Sequence, residues 1–194
     1  MKSKAWIVIG IVVAVIALSI LGSYNGLVKK SQAVDTAAAQ IQTDYQRRSD
    51  LIPNLVSTVK GAASYEQATL TQVVEARANA TKVSLNVNDP ASIAAFQNAQ
   101  SQVSSSLSRL LAVAENYPQL TATESFKGLQ TQLEGTENRI AVSRKDFNTA
   151  VQTYNTTVKV FPGSLIASIF GFEAKAYFQA DAAAQTAPKV EFGN

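Results

Sequence analysis

The chain contains no cysteine and no histidine in 194 residues. Without cysteine there are no disulfide staples, thiolate nucleophiles, cysteine-bound zinc or lipidated cysteine. Without histidine the commonest general base and the commonest transition-metal ligand are missing, and with them every Ser/His or Cys/His nucleophile arrangement. Proline occurs five times, and methionine and tryptophan once each. Glycine-rich phosphate loops and Asp-x-Asp-x-Asp-Gly calcium loops are absent, and the Glu-x-x-His pairs of di-iron helical proteins cannot form. No catalytic activity and no cofactor or metal site is expected from such an inventory.

Charge is also scarce, at 16 % of residues against 46 % apolar. The apolar excess is concentrated at the N-terminus, where Ala5 to Gly22 reads AWIVIGIVVAVIALSILG without one charge. Eighteen helical residues reach roughly 27 Å, close to the hydrocarbon thickness of a bilayer. Trp6 and Tyr24 stand near the two ends, at headgroup level, with Ile11, Val15 and Leu18 between them facing lipid. The alternative is a cleaved signal peptide, with Ala17-Leu18-Ser19 as a plausible cleavage site. The apolar run continues past that site, which favours an uncleaved anchor. Lys2 and Lys4 precede the span while Lys29 and Lys30 follow it, so the positive-inside count is nearly tied. The free amino terminus tips it toward a short cytoplasmic tip and a domain outside the cytoplasm, periplasmic or extracellular. Gly10, Ala14 and Ala17 have near small-xxx-small spacing, which leaves a homo-oligomer open.

Setting aside Lys2 and Lys4, 15 basic residues face 14 acidic ones, interspersed along the chain. That distribution is no nucleic-acid footprint. From Tyr24 to Phe161 only Pro53, Pro90 and Pro118 interrupt a composition rich in Ala, Gln, Leu, Val, Ser and Thr. The expected fold is all-α, with a transmembrane helix (residues 1–23) followed by an antiparallel up-down four-helix bundle (24–162) whose first and fourth helices are long. An apolar segment and tail occupy 163–194, frayed from about Gln179.

The first bundle helix, to about Ala63, carries Val34, Ala38, Ile41, Tyr45, Arg48, Ile52, Leu55, Val59 and Ala62 at alternating steps of four and three. Pro53 cannot bond the carbonyl of Ser49, which predicts a kink near Arg48 to Ile52, or a helix restarted from a cap at Ser49 or Asp50. A second helix, about Tyr65 to Lys82, places Glu66, Leu70, Val73, Arg77 and Ala80 on one face. Asp89 before Pro90 opens a third, with Ile93, Phe96, Gln100, Val103, Leu107, Leu110, Ala114 and Tyr117 as its seam. The fourth, from Thr121 or Thr123 to Phe161, aligns Phe126, Leu129, Leu133, Thr136, Ile140, Ser143, Phe147, Ala150, Tyr154, Val158 and Phe161. The two long helices are expected to lie side by side.

Polar residues inside apolar stripes are the informative ones, because an unpartnered buried charge is costly. Arg48 is the sharpest. Glu137 is its first candidate partner and Glu115 the second, in a buried pair fixing helix register, or in a ligand pocket with Arg77 between the helices. Asp44, Arg47, Asp50, Arg144 and Lys145 read as solvated charges. An up-down bundle also returns the chain to the bilayer, where Leu165, Ile166, Ile169, Phe170 and Phe172 meet lipid headgroups or a neighbouring subunit. Alternatively this stretch folds back to cap the base of the bundle.

Tyr24-Asn-Gly-Leu-Val28, Arg47-Arg-Ser-Asp-Leu-Ile-Pro-Asn-Leu-Val56, Glu75-Ala-Arg77, Ala114-Glu-Asn-Tyr-Pro118, Thr136-Glu-Asn-Arg-Ile-Ala141 and Tyr154-Asn155 with Phe161-Pro162 together resemble the LemA family. The match covers nearly everything after the apolar run. The resemblance implies a four-helix antiparallel bundle behind a membrane segment in a bacterial envelope protein, and it implies no reaction. Members are met beside membrane metalloproteases or other envelope proteins, and one branch is associated with magnetosome membranes. Many relatives carry a lipobox cysteine just before the Tyr-Asn motif; here Ser23 stands there, so the apolar helix itself is left as the anchor. The expected role is a membrane-anchored interaction or scaffold protein with unidentified envelope or membrane proteins as partners. The alternative is a ligand-binding envelope sensor or protease partner with a pocket near Arg48.

Overall fold

The computed structural model describes residues 2–62 and 66–179, with side chains from Trp6 onward except Ala62. All regular structure in them is helical: α1 (Lys2–Ala62), α2 (Gln67–Ala80), α3 (Pro90–Ala114), α4 (Pro118–Thr121), α5 (Glu124–Lys159) and α6 (Gly163–Phe170). Four bundle helices were expected; the two further ones are the single turn after Pro118 and the short apolar α6. The expected end of the first helix at Ala63 and the start of the second at Tyr65 lie outside the described residues, as does the tail beyond Gln179.

Local chemistry sets these boundaries. The Asp89 carboxylate accepts from the Ala91 amide at 2.9 Å, with Pro90 at the first helical position, where its missing N–H is not needed. Thr123 caps α5 by accepting from the Phe126 amide at 3.3 Å. Gly171, at φ 73°, ends α6 in the left-handed region that glycine tolerates without a Cβ clash, and Phe172 N–H closes the turn on the Ala167 carbonyl at 2.9 Å.

α1 is one helix of 61 residues, about 90 Å at 1.5 Å per residue. Its first third is long and apolar enough to cross a membrane, and none of that stretch is buried by the rest of the chain. Trp6, Ile11, Val15 and Leu18 are all more than half exposed. Beyond Tyr24 the heptad seam packs inward, and each seam residue from Val34 to Val59 is at most 7 % exposed. α1 continues through Pro53, so there is no restarted helix at Ser49 or Asp50.

α1 lies along α5, and partners on α5 descend as α1 ascends: Lys30 meets Thr157, Asp44 meets Ser143 and Arg48 meets Glu137. α2 and α3 pack on each other and close the other side of the distal half of α1. The apolar core is divided. One cluster joins Leu27 to Tyr45 with Phe96, Ile140 to Tyr154, Ile166 and Phe178. The other joins Ile52 to Val59 with Leu70, Val73, Val103 to Ala114 and Leu133.

Two expectations about exposure are corrected. Phe161, assigned to the seam of the fourth helix, is 82 % exposed, because α5 ends at Lys159 and Val160 is already extended backbone. Asp44, read as a solvated charge, is 3 % exposed. It sits beside the seam, and the Ser143 hydroxyl of α5 and the Gln40 amide, at 3.2 Å, satisfy its carboxylate there.

After α6 the chain has no regular secondary structure from Phe172 to Gln179 and lies on α5 and α3. Side-chain amides act as its strand partners. Asn155 donates to the Lys175 carbonyl and accepts from the Lys175 amide, both at 2.8 Å. Asn148 does the same for Phe178, at 3.0 and 2.9 Å, and Gln97 for Gln179, at 3.0 and 3.4 Å. These bonds satisfy backbone groups that no helix or sheet provides for. They also hold Phe178 edge-on between Phe147 and Phe96.

Candidate functional site

Arg48 stands between the two apolar clusters, 2 % exposed, at a position of the α1 seam that every neighbour fills with an apolar or aromatic side chain. Burying a guanidinium requires that its donors be used, and here facing helices supply acceptors. One terminal nitrogen donates to Ser104 Oγ at 2.8 Å and to Glu137 Oε2 at 2.9 Å. The other donates to the Gln100 carbonyl at 3.1 Å and to Gln100 Oε1 at 2.7 Å. The face of the guanidinium lies 5.0 Å from the centroid of Tyr45, one turn earlier on α1. A single side chain thus ties α1 to α3 and α5.

The ion pair is asymmetric. Arg48 is desolvated, whereas Glu137 is 57 % exposed, so water shares the carboxylate and the guanidinium depends on protein acceptors. Of the two acids considered for Arg48, Glu137 is brought to it. Glu115 is exposed at the C-terminal end of α3 and pairs with no basic group among the described residues.

The same layer resolves the proline. The Ser49 carbonyl, which Pro53 cannot bond in the helical ladder, accepts from Arg77 Nε of α2 at 2.8 Å. Arg77 therefore replaces the missing backbone donor and fastens α2 to α1. Three stretches far apart in sequence, around Arg48 to Pro53, at Arg77 and at Glu137, converge in one layer.

Beside it, Tyr45, Arg48, Ser49, Arg77, Phe96 and Gln100 line a half-open groove of about 180 Å³. Ser49 Oγ, which borders it, is buried with no hydrogen-bond partner among the described residues. No three acidic side chains among the described residues converge as a metal site would require. Arg47, Asp50 and Lys145 are exposed, while Arg144 donates to the Gln179 carbonyl at 2.6 Å and lies 5.9 Å from the Phe178 ring.

A second buried polar cluster lies toward the start of the body. Lys175, 8 % exposed, pairs with Asp35 at 3.1 Å and rests over the Tyr154 ring. Burial, then the negative charges of Asp35 and Glu173, raise the Tyr154 phenol above its ordinary value of 10.0.

At the base, the residues expected near the bilayer divide. Leu165, Ile169 and Phe170 are exposed, at 55 %, 63 % and 52 %, whereas Ile166, at 2 %, faces the core. Phe172 is half-buried, and Tyr24 packs against Phe170, tilted, and Phe172, edge-on, at 4.9 and 5.8 Å between centroids.

Sequence reasoning missed Ser104 in the central layer, misread Asp44 one turn before it, and missed Asn148 and Asn155 under the segment after α6. Gln100 was visible as a lone polar residue in the α3 seam. The asparagines also left a signal, because Asn is a weak helix former with little reason to sit in mid-helix unless its side chain has work there.

A model of LemA family sequences matches residues 37–192, which includes the whole polar layer. The chain is 29 % identical over 194 residues to "Magnetosome protein MamQ 2" of Paramagnetospirillum magneticum, covering 90 % of this chain and 71 % of the relative. It is 25 % identical over 187 residues to "Magnetosome protein MamQ" of Magnetospirillum gryphiswaldense, covering 87 % and 69 %. Against "Protein LemA" of Metamycoplasma hominis the identity is 21 % over 160 residues, covering 82 % and 70 %. None of these names is that of an enzyme, and together with the apolar start of α1 they fit a membrane-associated helical protein. On the match of its residues 37–192, the chain belongs to the LemA family.

Proposed function

We propose that this protein is a membrane-anchored scaffold of the bacterial envelope: a four-helix antiparallel bundle of α1, α2, α3 and α5, held outside the cytoplasm by the apolar start of α1 and without catalysis of its own. The observation that supports this reading best is the state of Arg48. The most conspicuous buried charge spends both terminal nitrogens on Ser104, Gln100 and Glu137, and Arg77 spends Nε on a carbonyl that Pro53 left free. Charges used in this way fix helix register and leave those donors unavailable to a substrate. The envelope or membrane proteins it meets would dock on its exposed faces, such as the one around Val142 of α5, 58 % exposed. A photo-crosslinking residue at Val142 in intact cells tests this. Discrete adducts with membrane or envelope proteins are expected; labelling no different from an unrelated membrane-anchored helix would refute the scaffold reading.

A second reading, a sensor for a small anion, draws on the groove beside Arg48. There Ser49 Oγ lacks a partner, and only Nε of Arg77 is engaged among the described residues. Its test is the melting temperature of the full chain in detergent with added short-chain carboxylates or phosphate. A rise abolished by Arg77→Gln supports a ligand, and an unchanged melt refutes one.

A further inference from the structure

The exposed apolar side chains of the body are not scattered. Among the described residues, eight large hydrophobic side chains beyond the first 21 residues are exposed, and five of them are Val160, Phe161, Leu165, Ile169 and Phe170. Single exposed hydrophobics are normal on any surface, but a contiguous cluster of this size marks something that covers it. The cluster forms one side of a two-sided element. α6 turns Ile166 and Ala167, 2 % and 3 % exposed, onto the core and points Leu165, Ile169 and Phe170 away from it. Capping the base of the body, one of the two expectations for this stretch, therefore uses only half of the helix.

What covers the other half follows from where it lies. Phe170 is packed on Tyr24 with ring centroids 4.9 Å apart. Tyr24 stands two residues past Gly22, about 3 Å along the helix from the end of the uncharged run. The exposed face is thus level with the boundary between the span and the body and continuous with the span's own apolar surface. Exposed Lys29 and Lys159 stand on the body side of it, at α1 just past the span and at the last turn of α5. Apolar side chains toward the span and ammonium groups on the other side are the arrangement of an interfacial helix, which sinks its apolar face into the headgroup and acyl boundary.

We propose that Phe161 and the outer face of α6 insert into the membrane surface as a second contact beside the span. The body is then held against the bilayer at two points and cannot swing freely about the exit of α1. This rests on the reading of α1 as the membrane anchor and gives α6 a role that the anchor alone does not need.

The test uses the full chain in mixed phosphatidylcholine and phosphatidylglycerol vesicles, with the single native tryptophan removed by Trp6→Phe. Phe161→Trp, Ile169→Trp or Val142→Trp is then introduced at an exposed site. Acyl chains brominated near the headgroup are expected to cut the emission of Phe161→Trp and Ile169→Trp about twofold and to leave Val142→Trp unchanged. Far-ultraviolet circular dichroism verifies folding, and the two reporters in the face guard against the failure of either. Protein that floats with the vesicles while both reporters stay unquenched overturns the proposal and leaves the anchor intact. Protein that does not float overturns the anchor and this proposal with it. Unquenched emission that shifts with the protein-to-lipid ratio assigns the face to a second copy of the chain, which also overturns it.

Discussion

Arg48→Met removes the fork of the guanidinium while keeping most of its stem, so it isolates what the four hydrogen bonds contribute. Removing a hydrogen bond to a charged group costs about 1.5–3 kcal/mol when the partner stays buried. Four such bonds do not add, because three of the acceptors have recourse elsewhere. The Gln100 carbonyl keeps its ladder bond as an interior residue of α3, the half-buried Gln100 side chain can turn to water, and Glu137 is 57 % exposed and is hydrated at once. The remaining losses are Ser104 Oγ, the contact with the Tyr45 ring and a void where the fork was. Together these predict a loss of about 3 kcal/mol, a fall in melting temperature of roughly 6–12 °C for a body of this size. Glu137→Gln keeps an acceptor oxygen at the exposed end and should cost only about 1 kcal/mol. Arg48→Lys should fall between, since one ammonium cannot reach Gln100, Ser104 and Glu137 at once. Thermal unfolding of the detergent-solubilised chain, followed by far-ultraviolet circular dichroism, ranks the three. Arg48→Met melting within about 2 °C of the parent would show that this layer does not hold the helices together, and Glu137→Gln costing as much as Arg48→Met would show that the half-exposed ion pair, not the bonds to Ser104 and Gln100, carries it.

Three other substitutions probe the rest of the body. A Cβ on Gly163 would collide with the Thr157 carbonyl oxygen, so Gly163→Ala must push backbone from backbone; a loss of about 2–3 kcal/mol in thermal unfolding is expected, and none would mean that α6 does not pack against the end of α5. Asn155→Ala orphans the buried Lys175 amide, and hydrogen exchange at Lys175 and Ala176 should speed up well before exchange in α5 changes. Tyr154 keeps its proton in the folded state above its ordinary value of 10.0, so below about pH 10 it contributes nothing, and above it the unfolded chain ionises first and stability falls. Tyr154→Phe should lack that fall: its deficit against the parent in urea melts shrinks between about pH 9 and pH 11, and a constant deficit contradicts the assignment.

The long-range plan was legible where periodicity carries information. The steps of four and three from Val34 to Val59 fix which face of α1 is buried, and matching stripes in α3 and α5 fix what it can be buried against. Arg48 announced itself as a charge where the stripe demanded an apolar side chain, and Pro53 announced a carbonyl in need of a donor. Which donor answered was not legible, because Arg77 reaches Ser49 through the angle at which α2 leaves α1, a tertiary quantity. Asp44 was misread for the same reason. A carboxylate on the flank of a seam is solvated or buried according to what the facing helix offers, and Ser143 is visible only once the register of α5 is known. The stretch from Phe172 to Gln179 escaped altogether, since its backbone bonds come from Asn148, Asn155 and Gln97, and side-chain partners leave no period in the segment they hold. Phe161 fell out of its stripe because α5 stops before it, and helix ends are the least periodic part of any sequence.

The absence of cysteine makes the central claim, a body carried on a helix that crosses the bilayer, open to a clean measurement. Single cysteines at Ser3, Val15 and Gln119 would each be the only thiol in the chain. In intact cells a membrane-impermeant maleimide should label Gln119→Cys, label Ser3→Cys only after lysis, and leave Val15→Cys unlabelled until detergent is added. Free labelling of Val15→Cys in intact membranes, or of Ser3→Cys and Gln119→Cys together before lysis, would contradict it.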